Sequence, residues 1–312
     1  MSKKKLLLTG AAGFIGSNIL EKLVDKYEII GVDNLSTGSK LNVEPFMKDF
    51  EFRLEDLRKY SVCEELTKDV DLVCHQAALP SVPRSIKNPR ATNENNVTAT
   101  VNLLKAAKCN GVKRVVYAAS SSAYGDTTVL PKKEKMSPNP LSPYAVSKLA
   151  GEYYMKAFAK SFDIDTVSLR YFNVFGPRQS PKSQYAAVVP NFITAAINDK
   201  EITVHGDGKQ SRDFSYIENV VSANILALEN KKDLEGEVIN VACGKRYTLV
   251  NLLDEIEDLT GKELNVTNVD SRVGDVKHSQ ADITKAIKLL KYKPKVDFKK
   301  GLKLSYKYYL GG

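Results

Sequence analysis

A chain of 312 residues, 43% hydrophobic and 27% charged, has the composition of an ordinary globular protein with one large domain or two unequal ones, which excludes disordered and fibrous classes. Its +9 formal charge comes with no long basic run, so it points to a solvated basic surface or a cleft for phosphorylated ligands and not to a nucleic-acid module. The longest apolar runs fall far short of a membrane span, and the 4 cysteines and 3 histidines are scattered without metal-ligand or disulfide spacing, which fits a reducing cytoplasm.

The basic start followed by Leu6-Leu7-Leu8 has the opening of an export signal, but the apolar segment runs straight into a glycine motif. Residues 4–9 read as a buried strand. Gly10-Ala11-Ala12-Gly13-Phe14-Ile15-Gly16 follows, then a helical pattern through Ile19, Leu20, Leu23 and Val24, and a second strand over 28–33 that ends in Asp33. Strand, glycine turn, helix, strand and terminal acid form the context of a dinucleotide fingerprint. Glycine lets the backbone approach a pyrophosphate, and the helix N-terminus supplies unpaired N–H groups. Asp33 accepts hydrogen bonds from ribose hydroxyls and repels a 2′-phosphate, which favours NAD over NADP.

The alternation continues with strands over 50–54 and 70–74. The first leads to Glu55-Asp56-Leu57, where an acid can hold the adenine amine, and the second to His75-Gln76-Ala77-Ala78, whose small residues let a ligand cross the strand end. Helices are expected over 93–110 and 144–162, with strands over 114–119 and 166–171. Strands alternating with helices imply a doubly wound parallel sheet of Rossmann type. Beyond Gly176-Pro177 the pattern predicts helices over 188–199, 220–229, 249–260 and 283–290, with strands over 202–204 and 238–241. The expected division is a Rossmann domain over 1–173, with returning segments near 212–243, and a smaller α/β substrate-binding domain over 174–211 and 244–312.

Two features carry chemistry. The strand ending at Ala119 delivers Ser120-Ser121-Ser122 to the sheet edge where ligands bind. Pro143 suits the first turn of a helix, and Tyr144 and Lys148 share a face one turn apart. A neighbouring ammonium favours the phenolate, so Tyr144 is a candidate proton acceptor, and a Ser120 hydroxyl can bridge it to a substrate oxygen.

Taken together, these segments resemble the extended short-chain dehydrogenase/reductase family and, within it, the nucleotide-sugar 4-epimerases. The resemblance rests on Thr9 to Gly16, Asp33-Asn34, Asp56-Leu57, His75 to Ala78, Ser120 to Ser122, Tyr144-x-x-x-Lys148, Arg170-Tyr171-Phe172-Asn173-Val174-Phe175-Gly176-Pro177-Arg178, Arg212-Asp213 and Arg272-Val273-Gly274-Asp275. It implies bound NAD held by Gly10, Gly13, Phe14, Ile15, Gly16, Asp33 and Asn34. Further along the chain, Asp56, Leu57, Gln76, Ala77, Ala78, Asn95, Tyr144, Lys148 and Tyr171 complete that set. It also implies a UDP-sugar held by Ser81, Ser120, Tyr144, Asn173, Val188, His205, Arg212, Arg272, Asp275 and Ser279. Catalysis would fall to Ser120, Ser122, Tyr144 and Lys148, with Lys148 lowering the Tyr144 pKa. Relatives that eliminate water carry acids where this chain has serines, so the resemblance favours oxidation and re-reduction at C4 over elimination.

The loop 75–85 is similar to that of epimerases acting on UDP-N-acetylhexosamines, except that Pro80 stands where those relatives have Gly. Ser279 aligns with a Tyr in relatives restricted to non-acetylated sugars, so UDP-GlcNAc and UDP-GalNAc are the expected substrates, with UDP-Glc and UDP-Gal as further ones. UDP-glucuronate is the alternative, with Arg84 a conceivable partner for its carboxylate. A non-catalytic NAD-binding protein is the alternative from another class. Relatives of this kind pair the helices over 93–110 and 144–162 into homodimers.

Overall fold

The computed structural model describes residues 3–181, 187–270 and 276–311. The apolar run behind the glycine motif becomes β1 (Lys5–Thr9), followed by α1 (Phe14–Leu23), β2 (Glu28–Asp33), β3 (Glu51–Leu54), α2 (Tyr60–Leu66) and β4 (Leu72–His75). Then come α3 (Val82–Lys87), α4 (Pro89–Asn93), a π-helical turn over Glu94–Thr98, α5 (Ala99–Cys109), β5 (Arg114–Ser120), α6 (Pro143–Ser161), β6 (Asp165–Tyr171) and β7 (Val174–Phe175). The remainder contains α7 (Val188–Ile197), β8 (Ile202–His205), β9 (Ser211–Arg212), β10 (Ser215–Tyr216), α8 (Ile217–Leu228), β11 (Glu237–Val241) and β12 (Tyr247–Thr248). It ends with α9 (Leu249–Thr260), β13 (Val266–Val269), α10 (Thr284–Leu290) and α11 (Phe298–Tyr309).

Seven strands form one parallel sheet in the order β3-β2-β1-β4-β5-β6-β11. Successive residues of β1 serve opposite faces: Leu6 and Leu8 pack with α1 and α8, and Leu7 packs with α5. Both faces are therefore buried at β1, β4 and β5, which is why these central strands read as continuous apolar runs, whereas the edge strand β3 is mostly exposed. The strand order reverses between β1 and β4, and that switch point opens a crevice at the C-terminal strand ends.

The helix expected over 93–110 is longer and interrupted. It begins at Pro89 and passes through the π-helical turn. Asn96, buried in that turn, accepts from Leu79 N at 2.6 Å and donates to Leu79 O at 3.2 Å and Ser147 Oγ at 2.9 Å. One side chain thus ties the exit of β4 to α6.

The C-terminal part packs α7, α9 and α11 together beside the parallel pair β8/β13. Both α8 and β11 return to the main sheet, as does α10, which lies against α8 and β11. Among the described residues, no helix is long and apolar enough to cross a membrane, and no three His, Cys, Asp or Glu converge as a metal site.

Candidate active site

The glycine turn is shaped by close approach. Gly10 has φ +68°, and a Cβ there would lie 2.7 Å from Ala77 N; a Cβ at Gly16 would lie 2.0 Å from Gly10 O. Helix α1 has no side-chain cap and no acid in its first turn, so its leading N–H groups are left for an anionic ligand. Asp33 braces the turn from β2: its Oδ2 accepts from Ala12 N at 3.0 Å and its Oδ1 from Leu35 N at 2.8 Å. Burial pushes the Asp33 carboxyl above its usual pKa, and the backbone donors oppose that rise.

One cavity lies over this edge. Gly10, Gly13, Asp33 and Asn34 line it from one side, and Asp56, Leu57, Gln76, Ala77, Ala78 and Asn95 from the other. Phe14 opens α1 and packs into the core, while Ile15 lines the neighbouring central cavity. Asp56 is engaged by Arg58 at 2.6 Å, which lowers its pKa and leaves it less open to an adenine amine than expected. The space above a glycine turn that admits no side chain, with an acid at the end of β2, fits NAD.

His75 stands behind this edge. Thr100 Oγ1 donates to Asn96 O at 2.6 Å, so it accepts from His75 Nε2 at 2.9 Å. The other ring nitrogen then accepts from Thr9 Oγ1 at 2.7 Å, and Thr9 Oγ1 accepts from Ala77 N. Every partner is satisfied by a neutral ring, and burial holds the His75 pKa down at about 3.

The central cavity, of about 380 Å³, holds the reactive groups. Strand β5 delivers Ser120, and Ser122 Oγ donates to Ser120 Oγ at 2.9 Å. Helix α6 is capped by Ser142, whose Oγ accepts from Ala145 N, and Pro143 sets its first turn. Tyr144 lines the same cavity as Ser120, whose hydroxyl draws its phenol pKa down against the effect of burial. Three hydroxyls, Ser122, Ser120 and Tyr144, gather in this cavity wall.

The electrostatics differ from the sequence expectation. Burial raises the Tyr144 pKa, and Ser120 offsets part of that rise. Lys148 does not bring the phenol below its usual range. Its Nζ donates to Ala118 O at 2.8 Å and lies 4.9 Å from the Tyr117 ring centre. Burial pulls the Lys148 ammonium down to about 7, opposed by Glu152.

On the far side of the central cavity, Asn173 Nδ2 donates to Ser279 Oγ at 3.2 Å. Ser279 is buried in the wall, pinned by its N–H to Ser211 O. Tyr171 lines the same space, its hydroxyl 3.0 Å from Asn224 Oδ1 and 3.2 Å from Gln76 Oε1. Asn173, Val174 and Arg212 are shared with a second cavity of about 260 Å³, lined also by Val188 and His205. His205 Nδ1 lies 3.1 Å from Asp270 O, and Arg212 Nη1 donates to Ser211 O and Lys277 O.

Ser81 stands apart from the other expected contacts. Its Oγ accepts from Arg84 N as the cap of α3, at φ +101°, and its neighbour Val82 lines the cavity. Arg272 and Asp275 lie outside the described residues. Sequence reasoning missed Asn96, Asn224 and Lys132. Lys132 lines the central cavity, with Nζ donating to Gly125 O at 2.8 Å. No local spacing marks these three, whose places depend on distant contacts.

The profile of the family described as "NAD dependent epimerase/dehydratase family" matches residues 6–242. The chain is 41% identical to a UDP-N-acetylglucosamine 4-epimerase from Methanobrevibacter ruminantium M1, solved in complex with UDP-N-acetylmuramic acid, with 99% of each chain covered and a TM-score of 0.94. It is 34% identical to the UDP-glucose 4-epimerase of Thermotoga maritima, solved with UDP-glucose (98% of each chain, TM-score 0.93). It is 35% identical to the UDP-glucuronic acid 4-epimerase of Bacillus cereus, solved with UDP-glucuronic acid and NAD (98% of this chain and 99% of that one, TM-score 0.91). With its glycine turn, its hydroxyl cluster and its parallel sheet, this chain belongs to the NAD dependent epimerase/dehydratase family.

Proposed function

We propose that this protein is an NAD-dependent 4-epimerase of UDP-hexoses, acting mainly between UDP-GlcNAc and UDP-GalNAc and also accepting UDP-Glc and UDP-Gal. The observation that carries the reaction class is the Ser122, Ser120 and Tyr144 hydroxyl cluster in the cavity wall at the end of β5, with no acid among these three positions to protonate a leaving hydroxyl. When bound, NAD supplies reversible hydride acceptance. Tyr144 takes the proton of the C4 hydroxyl through or beside Ser120, and Lys148 balances the phenolate that precedes that step. Asn173 and Arg212, at the junction of the two cavities, hold the diphosphate, and His205 and Val188 border the nucleoside. Once the transient 4-keto sugar has turned about its diphosphate linkage, Tyr144 returns the proton to the C4 oxygen, while the hydride that bound NAD would hold goes back to C4 on its opposite face.

Ser279 supports the acetylated substrates, because a small side chain in the cavity wall leaves space where a larger one would project. Ser279→Tyr should cut turnover of UDP-GlcNAc at least tenfold while sparing UDP-Glc, measured by resolving the C4 epimers. Unchanged UDP-GlcNAc turnover in that variant would overturn the assignment.

Lys132 favours a second reading, UDP-glucuronate. Arg84 is absent from the cavity lining among the described residues, whereas Lys132 is a cation in that wall. Separate incubations with UDP-GlcNAc, UDP-Glc and UDP-GlcA decide between the two: turnover confined to UDP-GlcA replaces the first reading with the second, and no turnover on any of them leaves a non-catalytic NAD-binding protein. The same reading includes a cytoplasmic homodimer, supported by an outward apolar stripe on α6.

A further inference from the structure

The Tyr144–Lys148 pair extends one turn further along α6. Tyr144, Lys148 and Glu152 recur every four residues, so they lie one above another on one helix face. Arg170, from β6, closes the row. Its Nε donates to Glu152 Oε1 at 2.8 Å and its Nη2 to Glu152 Oε2 at 2.6 Å, a two-point grip between side chains 4% and 2% exposed. Behind it, the guanidinium lies 4.6 Å from the Tyr124 ring centre, and the Tyr124 hydroxyl donates to Asn240 Oδ1.

The surroundings of Lys148 make Glu152 the decisive neighbour. On α6 it shares a helix face with Tyr144 and Glu152; on β5 it meets the Tyr117 ring and Ala118 O; on β4 its charge acts on His75, which is neutral. Glu152 is the side chain whose charge opposes the effect of burial on this ammonium. A buried ion pair is a weak source of stability, since an apolar pair of the same volume does as well. The Glu152–Arg170 pair therefore calls for a functional account.

We propose that Glu152, kept ionised by Arg170, is a positioning residue that favours the ammonium form of Lys148 beside Tyr144, so that the proton acceptor works at a lower pH than it would without that carboxylate. The physical sequence alternates in sign. Burial drives Lys148 to lose its proton, and the Glu152 carboxylate resists that. Burial also drives Glu152 to gain one, and the Arg170 guanidinium resists that in turn. The inference rests on the proposed roles of Tyr144 and Lys148.

The test uses the full chain loaded with NAD. Glu152→Gln keeps the shape and removes the charge. The expected result is a rising limb of kcat/KM displaced to higher pH by about one unit, with activity at pH 7 down about tenfold and KM little changed. Glu152→Asp should move the limb back towards its original place. A double variant, Glu152→Gln with Arg170→Met, removes both charges. It should recover the unfolding temperature lost in the single variant and bind NAD as the parent does, with the limb still displaced. Because it leaves no buried guanidinium without its carboxylate, it carries the test if the single variant fails to fold. The proposal is overturned if the double variant regains the parent's pH profile along with its stability, or if Glu152→Gln lowers activity equally at every pH. An active Tyr144→Phe would instead defeat the underlying reading, whatever Glu152 does.

Discussion

Tyr144 is a phenol raised by burial, next to a lysine lowered by burial, and its partners must overcome both effects for it to act as a base. Tyr144→Phe deletes the acceptor and leaves the ring in place. Turnover should fall by about 10³, the scale of a lost general base, while NAD affinity stays within a few-fold. Epimer analysis and an NAD titration on the same sample separate the two effects, and near-normal turnover would remove Tyr144 from its role. Lys148 predicts a stability signature with a definite sign. Its folded pKa is about 7 against an ordinary 10.5, so between those values the unfolded chain carries a proton that the folded chain has shed. Stability conferred by the fold therefore rises as pH rises through that window and is lost as pH falls towards 7. Lys148→Met should flatten this slope and stabilise the protein at pH 7 by about 1 kcal/mol, as relief of a functional strain, while abolishing activity. Denaturant melts at pH 7 and pH 9 measure it; an unchanged slope would assign the pH dependence elsewhere. Tyr144 and Lys148 were legible in the sequence because a helix fixes the meaning of a four-residue spacing. Lys132, Asn96 and Asn224 were not, because only the folded chain brings them to a cavity wall or a strand end.

At the scale of elements, the seven strands of the main sheet and β8 were read to within two residues, since most of them are buried and show as apolar runs, whereas the short β7, β9, β10 and β12 and the largely exposed β13 were missed. The helix through Asn95 was misjudged at its start and its π-helical turn was not foreseen, because that turn is stabilised by Asn96 reaching back to Leu79 and Ser147. Helix α11 was missed altogether. Its sequence, Phe298-Lys299-Lys300-Gly301-Leu302-Lys303, is lysine-rich and carries a glycine where helices ordinarily avoid one. The fold explains that glycine: a Cβ at Gly301 would lie 2.8 Å from Tyr216 Cβ and 3.0 Å from Phe175 Cζ. Two effects compete in Gly301→Ala. Helix propensity favours alanine by about 1 kcal/mol, whereas overpacking against two buried aromatic side chains costs about 1–3 kcal/mol. Tyr216 meets the new methyl with its own Cβ, which cannot swing away as a flexible side-chain end would, so the clash should prevail. A net loss of about 1 kcal/mol in urea unfolding is expected, and a gain would show that α11 shifts outwards without penalty.

Across the whole molecule, the two sides of α6 divide the work. Tyr144, Lys148 and Glu152 face the sheet, where β5 and β6 meet them. The opposite side carries Val146, Tyr153 and Tyr154, which are 52%, 58% and 41% exposed, with Ala150 and Ala157 between and beyond them. Positions 146, 150, 153, 154 and 157 repeat at the spacing of one helical face, so they form a stripe and not scattered apolar residues. Exposed apolar stripes of this kind mark association surfaces. A two-fold pairing is self-complementary, and each copy would cover the other's stripe. Sedimentation of the parent at micromolar concentration should give the mass of a dimer. Tyr153→Glu with Tyr154→Glu places four like charges across the pairing axis and should give the mass of a monomer. Because neither tyrosine faces the sheet, NAD binding should survive in that monomer, which separates loss of association from loss of fold. A parent that sediments as a monomer would mean that α6 meets some other surface, and the sheet-facing row would then have to hold its geometry without the support of a second copy.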